Sequence, residues 1–335
     1  MSERATAELT PAGLREHPAA AAWRRLRPGA AEPTGVAPLR ESEKSAVYRL
    51  EGAGPGGSAV VAKRCRAAAA RIERTVYEEV LPRVPVTALR YYGHAEGDGD
   101  GTCWLFVENA GGARLSLDLD AHRVLAAHWL ALLHTAAARV GAATRLPDRG
   151  PAHYLAHLRA ARLAILHGRA NPALCSDDQD VLEAIVRQCD ALESRWHRVE
   201  EWCAATPATL VHGDFRPKNV HVRADHAGAG TRLLAMDWET AGWGAPAADL
   251  ASARGLPIEL VDVATYCSDV RESWPGLDVR SIQRLVHVGR IFRRLAALDW
   301  DSPRLASRWL EKPMAGMRVY RAELAGAIEA AQWAR

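Results

Sequence analysis

The sequence contains no long hydrophobic run. No segment reaches the roughly 18 uninterrupted apolar residues that a membrane-spanning helix requires. The first residues, MSERATAELTP, include no apolar stretch of the length found in signal peptides. We therefore expect a cytoplasmic protein that does not associate with a membrane.

Paired cysteine motifs are also missing. The six cysteines form no CxxC pair, and none has a neighbouring histidine or cysteine at a spacing typical of zinc sites. This pattern excludes a disulfide-rich secreted domain and a zinc ribbon. We expect reduced thiols.

No strong charge imbalance is present. The 43 basic and 40 acidic side chains give a formal net charge of +3, without a long run of one sign. Scattered arginines could contact a polynucleotide, but they are more typical of solvated helix faces. These arginines are Arg71, Arg74, Arg90, Arg293 and Arg294. We therefore expect no nucleic-acid partner.

What the sequence does contain is a change of pattern along its 335 residues. An Ala-rich helix is predicted over 11–27 and a second helix over 71–81, while short alternating runs predict strands at 45–50, 58–63, 86–92 and 102–108. Later segments have apolar residues at helical spacing: 120–140, 151–168, 178–204, 281–298 and 314–333. We predict an α+β fold with a small β-rich lobe at 1–109 and a larger helical lobe at 110–335.

Short β runs return between Leu210 and Asp237. An apolar strand leads into a polar turn, and two further strands then form an antiparallel hairpin. This hairpin should place Asn219 and Asp237 side by side, with Asp214 five residues upstream. Carboxylate and amide oxygens suit Mg²⁺, which leaves Asp214 as a candidate base.

The residues HGDFRPKN, followed by DWE, resemble the signature of aminoglycoside phosphotransferases, choline kinases and their relatives, which share the protein-kinase-like fold. The resemblance implies that Asp214 deprotonates an acceptor hydroxyl, and that Asn219 and Asp237 hold Mg²⁺ at the phosphates of ATP or GTP. Arg216 would help to neutralise the transferred phosphoryl group. His212 and Asp249 would support this turn from behind, although Asp249 could equally be an ordinary helix cap.

The same resemblance assigns residues in the first lobe. Lys63 ends a strand-like run, and Glu73 lies on the inward face of the next helix, so the two could pair near the phosphates. The backbone of Glu108 and Ala110 would meet the nucleotide base, a contact that does not distinguish ATP from GTP. The loop over the phosphates, residues 40–46, departs from the family pattern because it has no glycine; its candidate contacts are Ser42 and Ser45.

Helices between 151 and 204 and those at the C-terminal end are expected to hold the acceptor. Several carboxylates and tryptophans could bind a cation or a sugar: Asp177, Asp178, Asp180, Asp299, Asp301, Trp202, Trp238, Trp243 and Trp274. The predicted partner is a small molecule with a hydroxyl group, antibiotic-like in character.

Three alternatives stay open. The chain could phosphorylate a primary metabolite such as an amino alcohol or a sugar, or it could bind nucleotide without catalysis. A third interpretation, a metal hydrolase with His212, Asp214 and His221 as ligands, would require more His/Asp clusters than the sequence offers.

Overall fold

The computed structural model describes residues 11–42, 45–97, 99, 101–140, 145–224, 230–251 and 260–331. Within these ranges no helix combines the length and the apolar character needed to cross a membrane. The chain divides into two compact units. Unit 1 contains Met1–Leu115 and Lys218–Thr240, and unit 2 contains Ser116–Pro217 and Ala241–Arg335.

Unit 1 is built on a five-stranded antiparallel sheet in the order β1-β2-β3-β5-β4. Its strands are β1 (Gly35–Glu41), β2 (Ser45–Glu51), β3 (Val60–Arg66), β4 (Tyr91–Glu96) and β5 (Thr102–Glu108). A second sheet, in the order β10-β9-β6, contains β6 (Ala113–Arg114), β9 (Val220–Ala224) and β10 (Thr231–Ala235). The helices are α1 (Pro11–Glu16), α2 (Pro18–Leu26) and α3 (Ala67–Thr75), and α3 continues into a π-helical turn, Val76–Val80.

Alternation along β3 sets the two faces of the larger sheet. Val60 and Ala62 are fully buried in a core with Trp23, Leu50 and Phe106. Since neighbouring strand residues point to opposite faces, Lys63 lies on the other side from this core. The strand thus carries a charged side chain without placing it among the apolar residues.

Unit 2 is mainly helical. Its helices are α4 (Asp120–Val140), α5 (Pro151–Gly168), α6 (Ser176–Glu193), α7 (Trp196–Cys203), α8 (Ala247–Leu250), α9 (Val263–Val270), α10 (Val279–Asp301) and α11 (Glu311–Ala330). A small sheet in the order β7-β11-β8 contains β7 (Asp148–Arg149), β8 (Thr209–Val211) and β11 (Gly242–Gly244). Helix α10 packs against α5, α8 and α11, and so forms the centre of this unit.

Two predicted helices are interrupted. The helix expected over 11–27 breaks at His17, whose extended backbone precedes Pro18, because a residue before proline avoids the helical region. The helix expected over 178–204 breaks at Arg195 (φ −117°, ψ 17°). Buried Leu192, Trp196 and Val199 keep helical spacing across this break. Periodicity alone could not reveal it.

The strand predicted over 86–92 lies later, at Tyr91–Glu96. Upstream of it, Pro85 has no N–H to donate to a ladder. The Thr87 hydroxyl donates to the Leu233 carbonyl at 2.6 Å instead, so this stretch is held by a side-chain bond to the second sheet.

The two compact units do not coincide with the lobes predicted at 1–109 and 110–335. The predicted β9–β10 hairpin is present, with Val220 opposite Ala235. Because β9 also pairs with β6, the hairpin belongs to unit 1 although it follows four helices of unit 2.

Candidate functional site

In unit 1, Lys63 lies among three carboxylates. Its Nζ contacts the carboxylates of Glu73 and Asp237, and it lies 3.2 Å from Glu239 Oε2. The side chains of Lys63 and Glu73 are only 12% and 4% exposed. We refer to these four residues as the Lys63 cluster. The pairing predicted between Lys63 and Glu73 is present.

Burial and charge oppose each other at Lys63. Burial lowers the pKa of its ammonium, but the carboxylates of Glu73, Asp237 and Glu239 raise it, and the net pKa lies well above its ordinary value. Burial raises the pKa of Glu73, an effect that the Lys63 charge only partly offsets. One cation therefore compensates three acidic groups incompletely, and a further cation would be attracted to them.

The carboxylates have a geometry that suits a metal ion. Single oxygen atoms of Glu73, Asp237 and Glu239 lie within 4.8 Å of one another. Buried Asn219 is next to this group along the hairpin, since its carbonyl accepts from the Met236 N–H at 2.9 Å. Carboxylate and amide oxygens are the donors that Mg²⁺ prefers. Asn219, Asp237 and Glu239 are therefore suitable ligands.

The backbone of Asp237 is strained. Its φ of 67° is the one left-handed φ among the described non-glycine residues. This conformation costs on the order of 1–3 kcal/mol and is typical of functional positions. It turns the chain directly after β10 and brings the Asp237 carboxylate to Lys63.

Glu239 received no role from the sequence. The sequence feature that could have indicated a role is its position two residues after Asp237, within DWE. A short 3-10 turn, Trp238–Thr240, brings it back toward Lys63, and sequence spacing alone does not predict that turn.

In unit 2, β8 leads into a turn at residues 212–216, the 212–216 turn. The backbone N–H groups of His212 and Gly213 donate to the two carboxylate oxygens of Asp249, at 2.7 and 2.8 Å. Gly213 has a φ of 75°, which favours glycine. Asp249 therefore holds the turn by its backbone, and the helix-cap interpretation does not apply, since Pro246 caps α8.

Asp249 is itself held by a side chain of α4, which in turn contacts a side chain of α9. His134 Nε2 lies 3.4 Å from the Asp249 carboxylate, and its Nδ1 lies 2.8 Å from the Tyr266 hydroxyl. Burial tends to raise the pKa of Asp249, but hydrogen bonding and charge from His134 and His212 lower it below its ordinary value. This fully buried network includes His134 and Tyr266, which the sequence did not single out.

Two arginines face Asp214. Arg216 Nε lies 2.6 Å from Asp214 Oδ1, and Arg216 Nη2 donates to Oδ2 at 2.8 Å. Arg293 Nη1 lies 3.8 Å from Asp214 Oδ1, and Arg293 Nη2 donates to the Phe215 carbonyl at 2.7 Å. The sequence interpretation of Arg293 and Arg294 as solvated is wrong, because α10 turns both guanidinium groups inward, where they are 8% and 11% exposed.

The residues expected to contact the base lie at the end of β5. The Ala110 carbonyl accepts from Arg223 Nη1 at 3.1 Å, and the Glu108 N–H donates to the Arg90 carbonyl at 2.8 Å. The Glu108 carboxylate also pairs with Arg223, at 2.8 Å. These backbone groups already have protein partners, so their contact with a base stays a prediction.

Ser42 and Ser45 lie at the ends of β1 and β2. The Ser42 N–H and hydroxyl both donate to the Ser45 carbonyl, at 2.9 and 3.0 Å. Residues 43–44 of the predicted phosphate loop lie outside the described residues. The role of both serines stays a prediction.

Most of the side chains predicted to contact the acceptor are buried or already have a partner within the protein. Trp238 is fully buried, and Trp274 is 8% exposed. Asp178 pairs with Arg318 at 2.6 Å. Asp299 lies 2.6 Å from His157 Nδ1, and Asp301 accepts from the Tyr320 hydroxyl at 2.6 Å. Each of these side chains has a structural explanation.

The hydrolase alternative receives no support from the described residues. Their one group of three or more potential metal-binding side chains is the carboxylate group of the Lys63 cluster. His221 instead bonds through Nδ1 with the Gly111 carbonyl at 2.7 Å.

Comparison with known proteins gives a family and a fold. The sequence model of the "Phosphotransferase enzyme family" matches residues 35–278, more than half of the chain. No curated protein matches the chain in sequence. Solved structures match it over nearly the whole length at low identity.

Wild-type aminoglycoside 2'-phosphotransferase-IIIa in its GDP complex is 14% identical, with coverage of 91% of this chain and 97% of that one and a TM-score of 0.63. The GDP and kanamycin complex of APH(2")-IIia is 14% identical, with coverage of 91% and 98% and a TM-score of 0.59. Spectinomycin phosphotransferase with ADP and spectinomycin is 9% identical, with coverage of 90% and 94% and a TM-score of 0.56. At these identities the likeness shows the fold, and it confirms the predicted α+β, protein-kinase-like class.

Proposed function

The chain belongs to the phosphotransferase enzyme family, and from this we propose that it transfers the γ-phosphoryl group of ATP or GTP to a hydroxyl of a small molecule. The observation that carries the proposal is the Lys63 cluster. It joins a buried lysine–glutamate pair to two further carboxylates at the end of a hairpin. Such a combination suits a metal-bound triphosphate.

Lys63 supplies the positive charge for the donor phosphates. Its ammonium is held by Glu73, which is buried and therefore has little freedom to move away. When phosphate oxygens arrive, Lys63 can exchange its contacts with Asp237 and Glu239 for contacts with them. The two carboxylates then become available as ligands.

Mg²⁺ would be held by Asp237, Asn219 and Glu239, and when bound it would neutralise charge on the phosphates. The left-handed backbone of Asp237 fixes the direction of its carboxylate. A site oriented in advance loses less free energy to reorganisation during the reaction.

Asp214 is proposed as the base. It takes the proton of the acceptor hydroxyl while the acceptor oxygen forms a bond to the γ-phosphorus. The bond to the bridging oxygen breaks, and the nucleoside diphosphate leaves with the electron pair. Asp249 holds the backbone next to Asp214, and Arg216 can turn from the Asp214 carboxylate to the transferred group.

For the acceptor, we propose an antibiotic-like hydroxyl compound, with resistance by phosphorylation as the consequence. The structural neighbours include complexes with kanamycin and with spectinomycin. A kinase of a primary metabolite such as an amino alcohol or a sugar is the second candidate. The catalytically silent protein is disfavoured because Asp214, Asn219 and Asp237 are all present.

The test is turnover with a panel of hydroxyl compounds, measured as nucleoside diphosphate release and as a mass gain of one phosphoryl group on the acceptor. Asp214→Asn should lower kcat by about 10²–10⁴-fold while triphosphate binding persists. Asp237→Asn should abolish Mg²⁺-dependent turnover and keep the fold, because asparagine tolerates a left-handed backbone. Asp118→Asn, an exposed change in the turn before α4, is the matched control.

Triphosphate binding without turnover on any acceptor, unchanged in Asp214→Asn, would favour the silent alternative. Mg²⁺-dependent turnover that persists at the parent rate in Asp237→Asn would contradict the assigned metal site.

A further inference from the structure

Unit 2 contains an open cavity of about 510 Å³ beyond the last turn of α10. This volume lies within the range of about 300–1,000 Å³ that is usual for small-molecule sites. The walls are the end of α5, the chain that leads on to α6, and the 3-10 turn Ser302–Ala306 that follows α10. The residues that line the cavity include Ala164, Asn171, Ser302 and Arg308.

The cavity is separate from the surroundings of Asp214. Arg293 is the residue of α10 that faces Asp214, with 3.8 Å between Nη1 and Oδ1. Ser302 lies nine residues further along the chain, which is roughly 14 Å along a helix axis. The described residues that line the cavity include neither Asp214 nor Arg293. A small ligand in the cavity would therefore leave the proposed base free.

Close packing holds the walls of the cavity in place. A Cβ built on Gly168 would lie 2.7 Å from Leu305 Cβ, so the end of α5 and the 3-10 turn are in close contact. The side-chain amide of Asn171 donates to the carbonyls of Leu305 and Ser307, at 2.8 and 2.9 Å. The shape of the cavity is therefore present before a ligand arrives, and binding does not have to order these segments.

Ser302 carries a hydroxyl for which the described residues offer no partner. The residue is 1% exposed, and its Oγ is buried without a hydrogen bond to any of them. A buried polar group without a partner costs free energy, and native proteins keep few of them. Because Ser302 lines the cavity, its hydroxyl can find a partner in a molecule that occupies this space.

Arg308 gives the rim of the cavity a positive charge. Its guanidinium lies over the indole of Trp309, 4.9 Å from the ring centre, and no carboxylate of the described residues pairs with it. No aspartate or glutamate is among the described residues that line the cavity. The rim therefore suits an anion. The two carboxylates nearest to Ser302 along α10 have other partners, Arg304 for Asp301 and His157 for Asp299.

We propose that this cavity is a second binding site, for a small organic anion. A carboxylate or phosphate group of the ligand pairs with Arg308, while the uncharged part fills the cavity and offers the Ser302 hydroxyl a hydrogen-bond acceptor. The site takes no part in phosphoryl transfer, so the inference does not depend on the proposed function.

The experiment compares four probes that share a 4-hydroxyphenyl group, whose oxygen can accept from Ser302. They are 4-hydroxybenzoate, 4-hydroxyphenyl phosphate, 4-hydroxybenzyl alcohol and 4-hydroxybenzylamine. Affinity for the full chain is measured by NMR titration at low salt. The two anions should bind about fivefold more tightly than the amine, with the alcohol between them. The ratio of the affinities of the two anions distinguishes a carboxylate from a phosphate preference.

Ser302→Ala separates a ligand contact from a structural role. Without any probe, the variant should have a Tm roughly 2–4 °C higher, since it removes a buried hydroxyl that lacks a partner. It should also bind 4-hydroxybenzoate about three- to tenfold more weakly, because the contact with the probe is lost. A lower Tm would mean that the hydroxyl serves the fold, and this result would overturn the inference.

Two further changes test the charge and the cavity. Arg308→Met should remove the preference for anions, whereas Arg280→Met, an exposed change at the other end of α10, should preserve it. Ala164→Phe should fill the cavity and prevent binding of all four probes. Ala156→Phe, an exposed change on the same helix, is its control. If Ala164→Phe does not fold, Ser302→Ala and Arg308→Met still decide the matter.

Several results would contradict a second site. Failure of all four probes to bind, equal affinities, or a preference for the amine would overturn the inference, as would an anion preference that survives in Arg308→Met. Binding that is lost in Asp214→Asn would assign the probes to the proposed acceptor site and would also overturn it. Turnover of the hydroxyl compounds is measured separately, so a negative result here leaves the proposed phosphotransferase standing.

Discussion

Lys63 shows at the scale of one residue how a buried cluster of charges can be costly for the fold. Three carboxylates near one ammonium repel one another, and Glu73 is almost entirely buried. Removing one member of a buried ion pair is more damaging than removing both, because the remaining charge has no partner. The Lys63 cluster should therefore show strong coupling between its members.

We expect Lys63→Met to lower the free energy of unfolding by about 3–5 kcal/mol, since it leaves Glu73 buried beside Asp237 and Glu239. The double variant Lys63→Met/Glu73→Gln should recover a large part of this loss. Urea denaturation of the single and double variants measures the coupling. Arg64→Met, the exposed neighbour on β3, serves as the control. Additive effects of the two changes would contradict the proposed coupling.

His153 on α5 gives a pH dependence. Burial, with help from the charges of Arg149 and His157, lowers its pKa from 6.5 to about 4. Between these values the unfolded chain binds a proton that the folded chain does not bind. The free energy of unfolding should therefore decrease as the pH falls from 6.5 through about 4.

We expect His153→Gln to weaken this decrease, measured as the difference in urea midpoint between pH 7 and pH 5. His167→Gln, an exposed histidine change on the same helix, should leave the pH dependence as it is in the parent protein. If the free energy of unfolding of the parent protein does not change between pH 7 and pH 5, protonation of His153 does not destabilise the fold, and the prediction is wrong.

At the scale of elements, α10 determines where the 212–216 turn is held. A Cβ built on Gly289 would lie 2.1 Å from the Ala247 carbonyl oxygen, so α10 and the short helix α8 are in close backbone contact. Helix α8 carries Asp249, and Arg293 follows Gly289 by four residues on α10. One helix contact thus positions the groups on both sides of Asp214.

Gly289→Ala should destabilise the protein by about 1–3 kcal/mol and lower turnover, because α8 must move and carries Asp249 with it. Gly326→Ala on α11 is the matched control, since a Cβ there meets nothing within 4 Å. It should stabilise by about 0.5–1 kcal/mol through helix propensity. Thermal unfolding and turnover measured together test both changes. Equal effects from the two glycines would rule out the close-contact explanation.

At the scale of the whole molecule, the chain passes between the two units three times, after Leu115, Pro217 and Thr240. Unit 1 is therefore not a continuous segment. Its second sheet requires β9 and β10, and the Leu115 N–H donates to the Val220 carbonyl at 2.9 Å. Removal of the hairpin leaves β6 without its partner strand.

We predict that a fragment of residues 1–115 has no cooperative unfolding transition by circular dichroism. The same fragment joined to residues 218–240 through a flexible Gly/Ser linker should unfold cooperatively, because it regains the hairpin. A cooperative transition in residues 1–115 alone would show that the five-stranded sheet is sufficient.

The sequence by itself was enough to predict the hairpin, two pairs of neighbouring residues and the family. The alternating β runs between Leu210 and Asp237 predicted the hairpin and the adjacent positions of Asn219 and Asp237, and the motifs HGDFRPKN and DWE predicted the family. Helix periodicity placed Glu73 on the inward face of its helix, and the family resemblance predicted that it pairs with Lys63. These features depend on neighbours in the chain, so local patterns are sufficient to reveal them.

Only the tertiary structure decided which distant groups meet Asp214 and Asp249 in unit 2. Arg293 comes to Asp214 from 79 residues later, and His134 comes to Asp249 from 115 residues earlier. Neither has a local signal, because helix periodicity indicates which face is buried and not what the buried side chain meets. Which arginines meet Asp214 therefore depends on how α10 packs.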